Sequence, residues 1–244
     1  MADYRENEIN YDARSQAQVQ YDEGLRSYML GIYNYMALGI AGTAVVTLAV
    51  MSSPAFLGFV AGTPWLFFIL LIGASMFGPA MIINSRNPVM AHVAFWGYAA
   101  LWGVAIAPMV FVYLSVNPGI VVQAFAITAA LFGAMSIIGY TTEKNLSGIG
   151  QFAAMAMIGV LIAMVVNWFM QSTLFSLVIS CAYVLLISAI TAWETQTIKN
   201  MYSANDSGDV ASRKSIFGAF LLYGSFISMF IHILNILGIM GGDD

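Results

Sequence analysis

The chain consists of long apolar runs separated by short polar connections. The runs fall at residues 27–51, 64–84, 91–114, 119–139, 149–170, 173–193 and 216–240. Each run holds roughly 20 residues or slightly more, which is enough for an α-helix to cross the hydrocarbon core of a bilayer. The pattern therefore predicts an all-α membrane protein with seven transmembrane helices.

Residues 1–26 differ from the rest of the chain because they are polar and rich in Asp, Glu, Gln and Tyr. They lack the basic start and the small-residue cleavage site that are typical of a secretory signal peptide. We expect a polar cytoplasmic tail, disordered or lying on the surface. The seven-helix membrane domain then occupies residues 27–244.

The positive charges are confined to the tail and to the second, fourth and sixth connections. The first, third and fifth connections carry no charged residue. By the positive-inside rule the tail and the charged loops are cytoplasmic, and an odd number of spans places the C-terminus outside. The basic residues are Arg5, Arg14, Arg26, Arg86, Lys144, Lys199, Arg213 and Lys214.

Composition narrows the class of protein further. The chain is 60% hydrophobic and 8% charged, whereas soluble domains average about 25% charged residues. We therefore expect the lipid bilayer to be the partner that surrounds most of the chain. The net charge of −4 gives no indication of nucleic-acid binding. Cys181 is the only cysteine, so the sequence offers no disulfide framework, metal quartet or redox pair. We expect no cofactor.

Glu194 is the most unusual charged residue, because it directly follows the sixth apolar run and begins the polar connection. Removing a carboxylate from water is costly unless it is paired or neutralised, so this residue is a functional candidate. In one interpretation, Glu194 is an interfacial carboxylate hydrated by cytoplasmic water. In the other, it pairs with Arg86 in a latch that closes the cytoplasmic mouth and opens when Glu194 takes up a proton.

Three further polar residues lie within the apolar runs. His232 follows Ser225 by seven residues, about two helical turns, so both face one side of the last helix. His232 is either a hydrogen-bonded packing residue or a titrating group on a path through the membrane. Asn167, near the outer end of the fifth span, either packs or lines that path.

Enzyme classes fit the sequence poorly, and we expect no enzymatic activity. An intramembrane serine protease would need a Gly-x-Ser-Gly turn, and the segment Gly73-Ala74-Ser75-Met76 lacks the final glycine. A zinc protease would need His-Glu-x-x-His, which is absent. The predicted spans contain no Asp for an aspartyl protease, and the last span contains no Lys for a retinal protein.

Ordered motifs in the last four spans resemble the Bax inhibitor family, and the resemblance runs from about residue 26 to the C-terminus. The fourth and fifth spans carry Ala124-Phe125, Thr128-Ala129, Phe132, Gly139-Tyr140, Thr142, Lys144, Leu146-Ser147, Gly150 and Asn167. The last two carry Glu194-Thr195-Gln196, Ile198-Lys199, Leu222-Tyr223, Phe226-Ile227 and Phe230.

The resemblance implies six helices enclosing a central seventh. It also implies a pH-sensitive calcium leak, suppression of cell death in eukaryotes and, in bacteria, restraint of a membrane-bound ATP-dependent protease. The family's gate uses two Asp residues, one in each of the last two helices. This chain departs from the pattern, because Glu194 stands at the first position and Ser225 at the second.

We therefore expect a pH-sensitive cation leak channel or transporter with an altered acidic gate, residing in a bacterial inner membrane and carrying calcium. Its path would be lined by Glu194, Ser225, His232 and Asn167 and closed near Arg86. Glu194 is the carboxylate that a calcium ion would contact. The alternative is a non-conducting regulator that binds another membrane protein, such as the protease.

Overall fold

The computed structural model describes the backbone of residues 2–85 and 88–241 and the side chains of residues 19–85 and 89–241. Within these residues it contains eight α-helices and no strand. Seven of the helices are long and apolar enough to cross a membrane. The predicted all-α fold and the predicted number of spans are confirmed.

The helices follow the apolar runs in chain order. They are α1 (Ala2–Met51), α2 (Pro54–Gly62), α3 (Pro64–Asn84), α4 (Pro88–Val116), α5 (Pro118–Thr141), α6 (Ser147–Met170), α7 (Thr173–Asn200) and α8 (Gly208–Met240). Helix α2 lies in the first connection and has 9 residues. At about 1.5 Å per residue it is too short to cross a bilayer.

Prolines and a polar cap set where several helices begin. Pro64 and Pro118 stand at the first turn of α3 and α5, where the missing proline N–H would have had no partner within the helix. The Asn117 side chain accepts a hydrogen bond of 3.0 Å from the Gly119 N–H. Short connections between α2 and α3 and between α4 and α5 accompany these signals.

Three predicted helix boundaries are wrong, because the helices extend beyond the apolar runs. Helix α1 begins at Ala2, so it continues through the predicted tail; α7 ends at Asn200 rather than at residue 193, and α8 begins at Gly208 rather than at residue 216. Hydropathy marks where side chains become polar, whereas the backbone helix continues past that point. The division into tail and membrane domain stays a prediction.

Helix α8 is the central seventh helix that the resemblance implies. In its most apolar window 67% of the residues are buried, against 17–28% in the other spans. It packs against α1, α3, α4, α5 and α7, while α6 packs on α7. Its fully buried Tyr223 shares a hydrogen bond of 2.6 Å with Thr43 of α1. The core of the protein therefore surrounds this helix.

The connections after α3, α5 and α7 lie at one end of the bundle, which we call the charged end. There, a basic side chain donates to a backbone carbonyl at the C-terminal end of each of these helices. Cations stabilise helix C-termini by about 0.3–1 kcal/mol. The pairs are Arg213 with Ser85 (2.6 Å), Lys199 with Tyr140 (2.8 Å) and Lys214 with Met201 (2.9 Å).

Candidate functional site

Glu194 and Ser225 meet between the last two helices. Glu194 lies within α7, and Ser225 lies in the middle part of α8 and is 4% exposed. The Ser225 Oγ donates a hydrogen bond of 2.6 Å to the Glu194 Oε2. Hydrogen bonds to a carboxylate are shorter and stronger than those between neutral groups. The two residues that were singled out at the altered acidic positions thus contact each other directly.

The described groups near Glu194 include no cation that pairs with it. The buried Thr195 hydroxyl donates to the Thr191 carbonyl of its own helix at 2.9 Å, so it is not free to bind the carboxylate. Tyr98 and Tyr183 lie close enough to interact electrostatically with Glu194. Among the described side chains no cation forms an ion pair with it. Arg86 lies outside the described residues, and the Arg86 latch therefore stays a prediction.

His232 also faces α7, as its spacing from Ser225 predicts. Its Nδ1 lies 3.2 Å from the Ser180 Oγ, and its ring stacks on Tyr183 with a centroid distance of 3.9 Å. Tyr183 in turn interacts with the Ser228 side chain. The imidazole is therefore held between a hydroxyl and an aromatic ring on the facing helix.

Asn235 continues this line of contacts towards the end of the bundle opposite the charged end. Its Nδ2 donates to the Ser180 Oγ at 2.9 Å and to the Ser176 Oγ at 3.0 Å. Beyond it lies a cavity of about 300 Å³ whose walls carry mostly amides and hydroxyls. Asn167 lines this cavity and also accepts a hydrogen bond of 3.2 Å from the Ser172 N–H.

Comparison with known proteins identifies the family. The family model described as Inhibitor of apoptosis-promoting Bax1 matches residues 25–242. The chain belongs to the Bax inhibitor family. The predicted resemblance is confirmed over all seven spans.

Relatives of this Bax inhibitor family member occur in several bacteria. It is 35% identical over 220 residues to an uncharacterized protein of Rickettsia prowazekii, covering 89% of this chain and 92% of the relative. An uncharacterized protein of Deinococcus radiodurans is 37% identical over 212 residues, covering 87% and 90%. Inner membrane protein YbhL of Escherichia coli K12 is 33% identical over 230 residues, covering 92% and 97%.

The site of this Bax inhibitor family protein contains residues that the sequence analysis did not single out. On α8 the polar residues recur every three or four positions, which is the spacing of one helix face. That spacing could have predicted a polar face on α8, whereas nothing in the sequence distinguished the serines of α7 that contact it. We call the whole set the polar lane: Ser176, Ser180, Tyr183 and Glu194 on α7, and Ser225, Ser228, His232 and Asn235 on α8.

The polar lane offers few ligands for a bound metal ion. The described residues hold no group of three or more His, Cys, Asp or Glu side chains that could bind a metal. Calcium takes about 6–8 oxygen ligands. Glu194 and Ser225 together supply one carboxylate and one hydroxyl, so a calcium ion there would keep water as most of its ligands.

Proposed function

We propose that this Bax inhibitor family protein is a pH-sensitive cation leak channel or transporter that carries calcium along the polar lane. The observation that supports the proposal is the series of contacts from the polar cavity near Asn167, past Asn235 and His232, towards Glu194. Polar and ionisable side chains that face one another inside a membrane bundle commonly mark ion or proton paths.

The contact between Ser225 and Glu194 is the gate in this proposal. While Glu194 is ionised, the charge-assisted hydrogen bond holds α7 and α8 together at this level. Protonation replaces it by a weaker neutral hydrogen bond, so the two helices separate more easily. Calcium flux is therefore expected to rise as the pH falls. The predicted Arg86 latch would act on the same carboxylate.

His232 contributes an opposite effect. When it gains a proton it adds positive charge to the lane, which repels an approaching calcium ion. Because its imidazole contacts Ser180 and Tyr183 between α7 and α8, that charge would lie on the path. The pH dependence of calcium flux then combines two opposing effects of acidification: easier opening at Glu194 and stronger repulsion of calcium by His232.

Calcium flux into proteoliposomes that hold an internal calcium indicator, measured from about pH 6 to pH 8, tests the proposal. We expect flux that increases towards pH 6. Asn235→Leu interrupts the lane with an apolar side chain of similar size and should reduce flux. Gln123→Leu makes the same kind of change at an exposed position of α5 and should not. Absence of flux at every pH from correctly folded protein would reject conduction.

The second candidate is a non-conducting regulator that binds a membrane-bound ATP-dependent protease. It is favoured by Ser225, because a hydroxyl stands where the resemblance implies a second acid, and a single carboxylate closes on it at 2.6 Å. This function requires no flux. It predicts instead that the purified protein slows proteolysis when it is reconstituted with such a protease.

We also propose that the protein resides in a bacterial inner membrane with its N-terminus in the cytoplasm. The name of the relative YbhL supports the membrane, and the basic residues at the charged end support the orientation. Alkaline phosphatase fused after Met240 should be active, and the same fusion in the connection between α7 and α8 should be inactive. The reverse result would invert the proposed orientation.

A further inference from the structure

A groove separates α1 from α5 on the lipid-facing side of the bundle. Helix α1 packs mainly on α4 and α8, and α5 packs mainly on α7 and α8. Between α1 and α5 lies a cavity of about 640 Å³, with Phe226 of the central helix at its base. We call it the α1–α5 groove. Its walls are chiefly apolar, and they include Met36 of α1 and Gly133 of α5.

One buried polar group in this groove lacks a partner. Ser136 lines the groove and is only 5% exposed. Its Oγ is buried and forms no hydrogen bond with any described residue. Buried hydroxyls in proteins almost always have a partner. The Ser136 hydroxyl is therefore available to donate a hydrogen bond to a polar atom of a ligand in this otherwise apolar space.

The dimensions of the groove fit one leaflet of a bilayer. Along α1 the wall extends from Arg26 to Met36, about 15 Å at 1.5 Å per residue, or half of the roughly 30 Å hydrocarbon core. A second cavity of about 340 Å³ continues beyond Phe226 between the same two helices. An extended hydrocarbon chain can follow this course from the charged end towards the bilayer centre.

One arginine stands at the open end of the groove. Arg26 lines it, is exposed and forms no ion pair with a described residue. Tyr140 lines it too, and the Lys199 Nζ lies 5.1 Å from the centre of that ring. Asp22 and Glu23 precede Arg26 by about one helical turn, but neither lines the groove. A negatively charged head group therefore complements this end.

We propose that the α1–α5 groove binds one anionic diacyl phospholipid from the leaflet at the charged end. Arg26 holds its phosphate, the Ser136 hydroxyl donates to an ester oxygen, and one acyl chain lies along Gly133 and Phe226. Basic sites between transmembrane helices bind anionic head groups in this way. The proposal does not depend on conduction, because no residue of the polar lane lines the groove.

Native mass spectrometry of delipidated protein tests the head-group contact. The protein is titrated with phosphatidylglycerol or with phosphatidylcholine that carries the same acyl chains. We expect one tightly bound phosphatidylglycerol, with about fivefold weaker binding after Arg26→Gln, as expected from the loss of one arginine at a membrane surface. Lys144→Gln removes a positive charge from an exposed residue at the same end that does not line the groove. It should leave the affinity unchanged.

A second pair of variants tests the acyl-chain contact without disturbing the fold. A Cβ added at Gly133 meets no atom within 4 Å, and Gly133 lines the groove, so Gly133→Leu places an apolar side chain in the space proposed for the acyl chain. It should reduce binding of both lipids at least tenfold. Gly159→Leu on α6, where an added Cβ also meets no atom within 4 Å, should not. Ser136→Ala should weaken binding of both lipids by a smaller factor.

Three results would overturn the proposal. In the first, folded Gly133→Leu protein binds phosphatidylglycerol as well as the unmodified protein does. In the second, Lys144→Gln weakens binding as much as Arg26→Gln, which would indicate general surface charge rather than this groove. In the third, Gly133→Leu changes the oligomeric mass in light scattering but not lipid binding, which would make a second copy of the chain the occupant.

Discussion

The Ser225 hydroxyl donates to the Glu194 carboxylate at 2.6 Å and thereby joins the central helix to α7. Among the described residues this is the only hydrogen bond that Glu194 accepts from a side chain. Ser225 is therefore the main described side chain that holds the Glu194 carboxylate in position.

Ser225→Ala should destabilise the protein, because the Glu194 carboxylate is left without its donor. We expect a loss of about 1.5–3 kcal/mol, the usual value for a hydrogen bond to a charged group. Chemical denaturation in detergent measures it. Ser212→Ala changes an exposed serine of the same helix and should stay within about 0.5 kcal/mol of the unmodified protein. Equal stability of the two variants would contradict the role of Ser225.

Glu194→Gln should remove the gating component of the pH dependence of calcium flux. A glutamine has no titrating proton and resembles the protonated acid, so flux at neutral pH should rise to the level otherwise seen at acid pH. Proteoliposome flux at about pH 6, 7 and 8 measures it. Glu143→Gln neutralises an exposed acid in the connection between α5 and α6 and should keep the normal profile. An unchanged profile in Glu194→Gln would exclude this gate.

His232→Gln should increase flux at the acid end of the range. Glutamine can still hydrogen-bond to Ser180, which lies 3.2 Å from the imidazole, but it cannot gain the positive charge that repels calcium. The ratio of flux at about pH 6 to that at about pH 8 should therefore exceed the ratio for the unmodified protein. If the two ratios agree, His232 serves packing alone.

Gln196→Ala should loosen the connection between α5 and α6. The Gln196 Oε1 accepts the Leu146 N–H at 2.8 Å, and its Nε2 donates to the Lys144 carbonyl at 2.8 Å. Losing both contacts should cost about 1–3 kcal/mol, and hydrogen exchange at the Leu146 amide should accelerate. Asn200→Ala alters an exposed amide at the end of the same helix. It should leave that exchange rate unchanged.

Gly139→Ala should separate α5 from α7. A Cβ at this position would collide with the backbone carbonyl of Ala192, and a backbone atom cannot move aside as a flexible side chain can. We expect a loss of about 1–3 kcal/mol in unfolding free energy, as in other overpacked cores. Gly97→Ala, where nothing lies within 4 Å, should instead be neutral or stabilising. Similar effects of both variants would argue against close helix contact.

Hydropathy and charge predicted the number of spans because the free energy of burying a side chain in lipid depends mainly on its own polarity. The helix ends at Asn200 and Gly208 were missed because backbone hydrogen bonds continue where side chains are already polar. The family resemblance implied a central last helix, and its burial confirms that position.

The partners across helices could not be predicted. His232 meets Ser180 although 52 residues separate them, and that contact depends on how two helices are rotated and shifted along their axes. A run of apolar residues permits many such arrangements. The α1–α5 groove cannot be predicted from the sequence either, because it depends on two helices that pack on α8 and other neighbours rather than closely on each other.

The cations at the charged end are relevant both to membrane insertion and to folding. In the proposed orientation, Arg213, Lys199 and Lys214 add to the positive charge that keeps this end in the cytoplasm during insertion. In the finished bundle each one donates to a carbonyl at the C-terminal end of a helix. The same side chains therefore affect the orientation in the membrane and the stability of the helix ends. A chain inserted in the opposite orientation would have to move these three charged side chains across the bilayer before they could stabilise the helix ends. The inverted orientation is therefore disfavoured both during insertion and during folding.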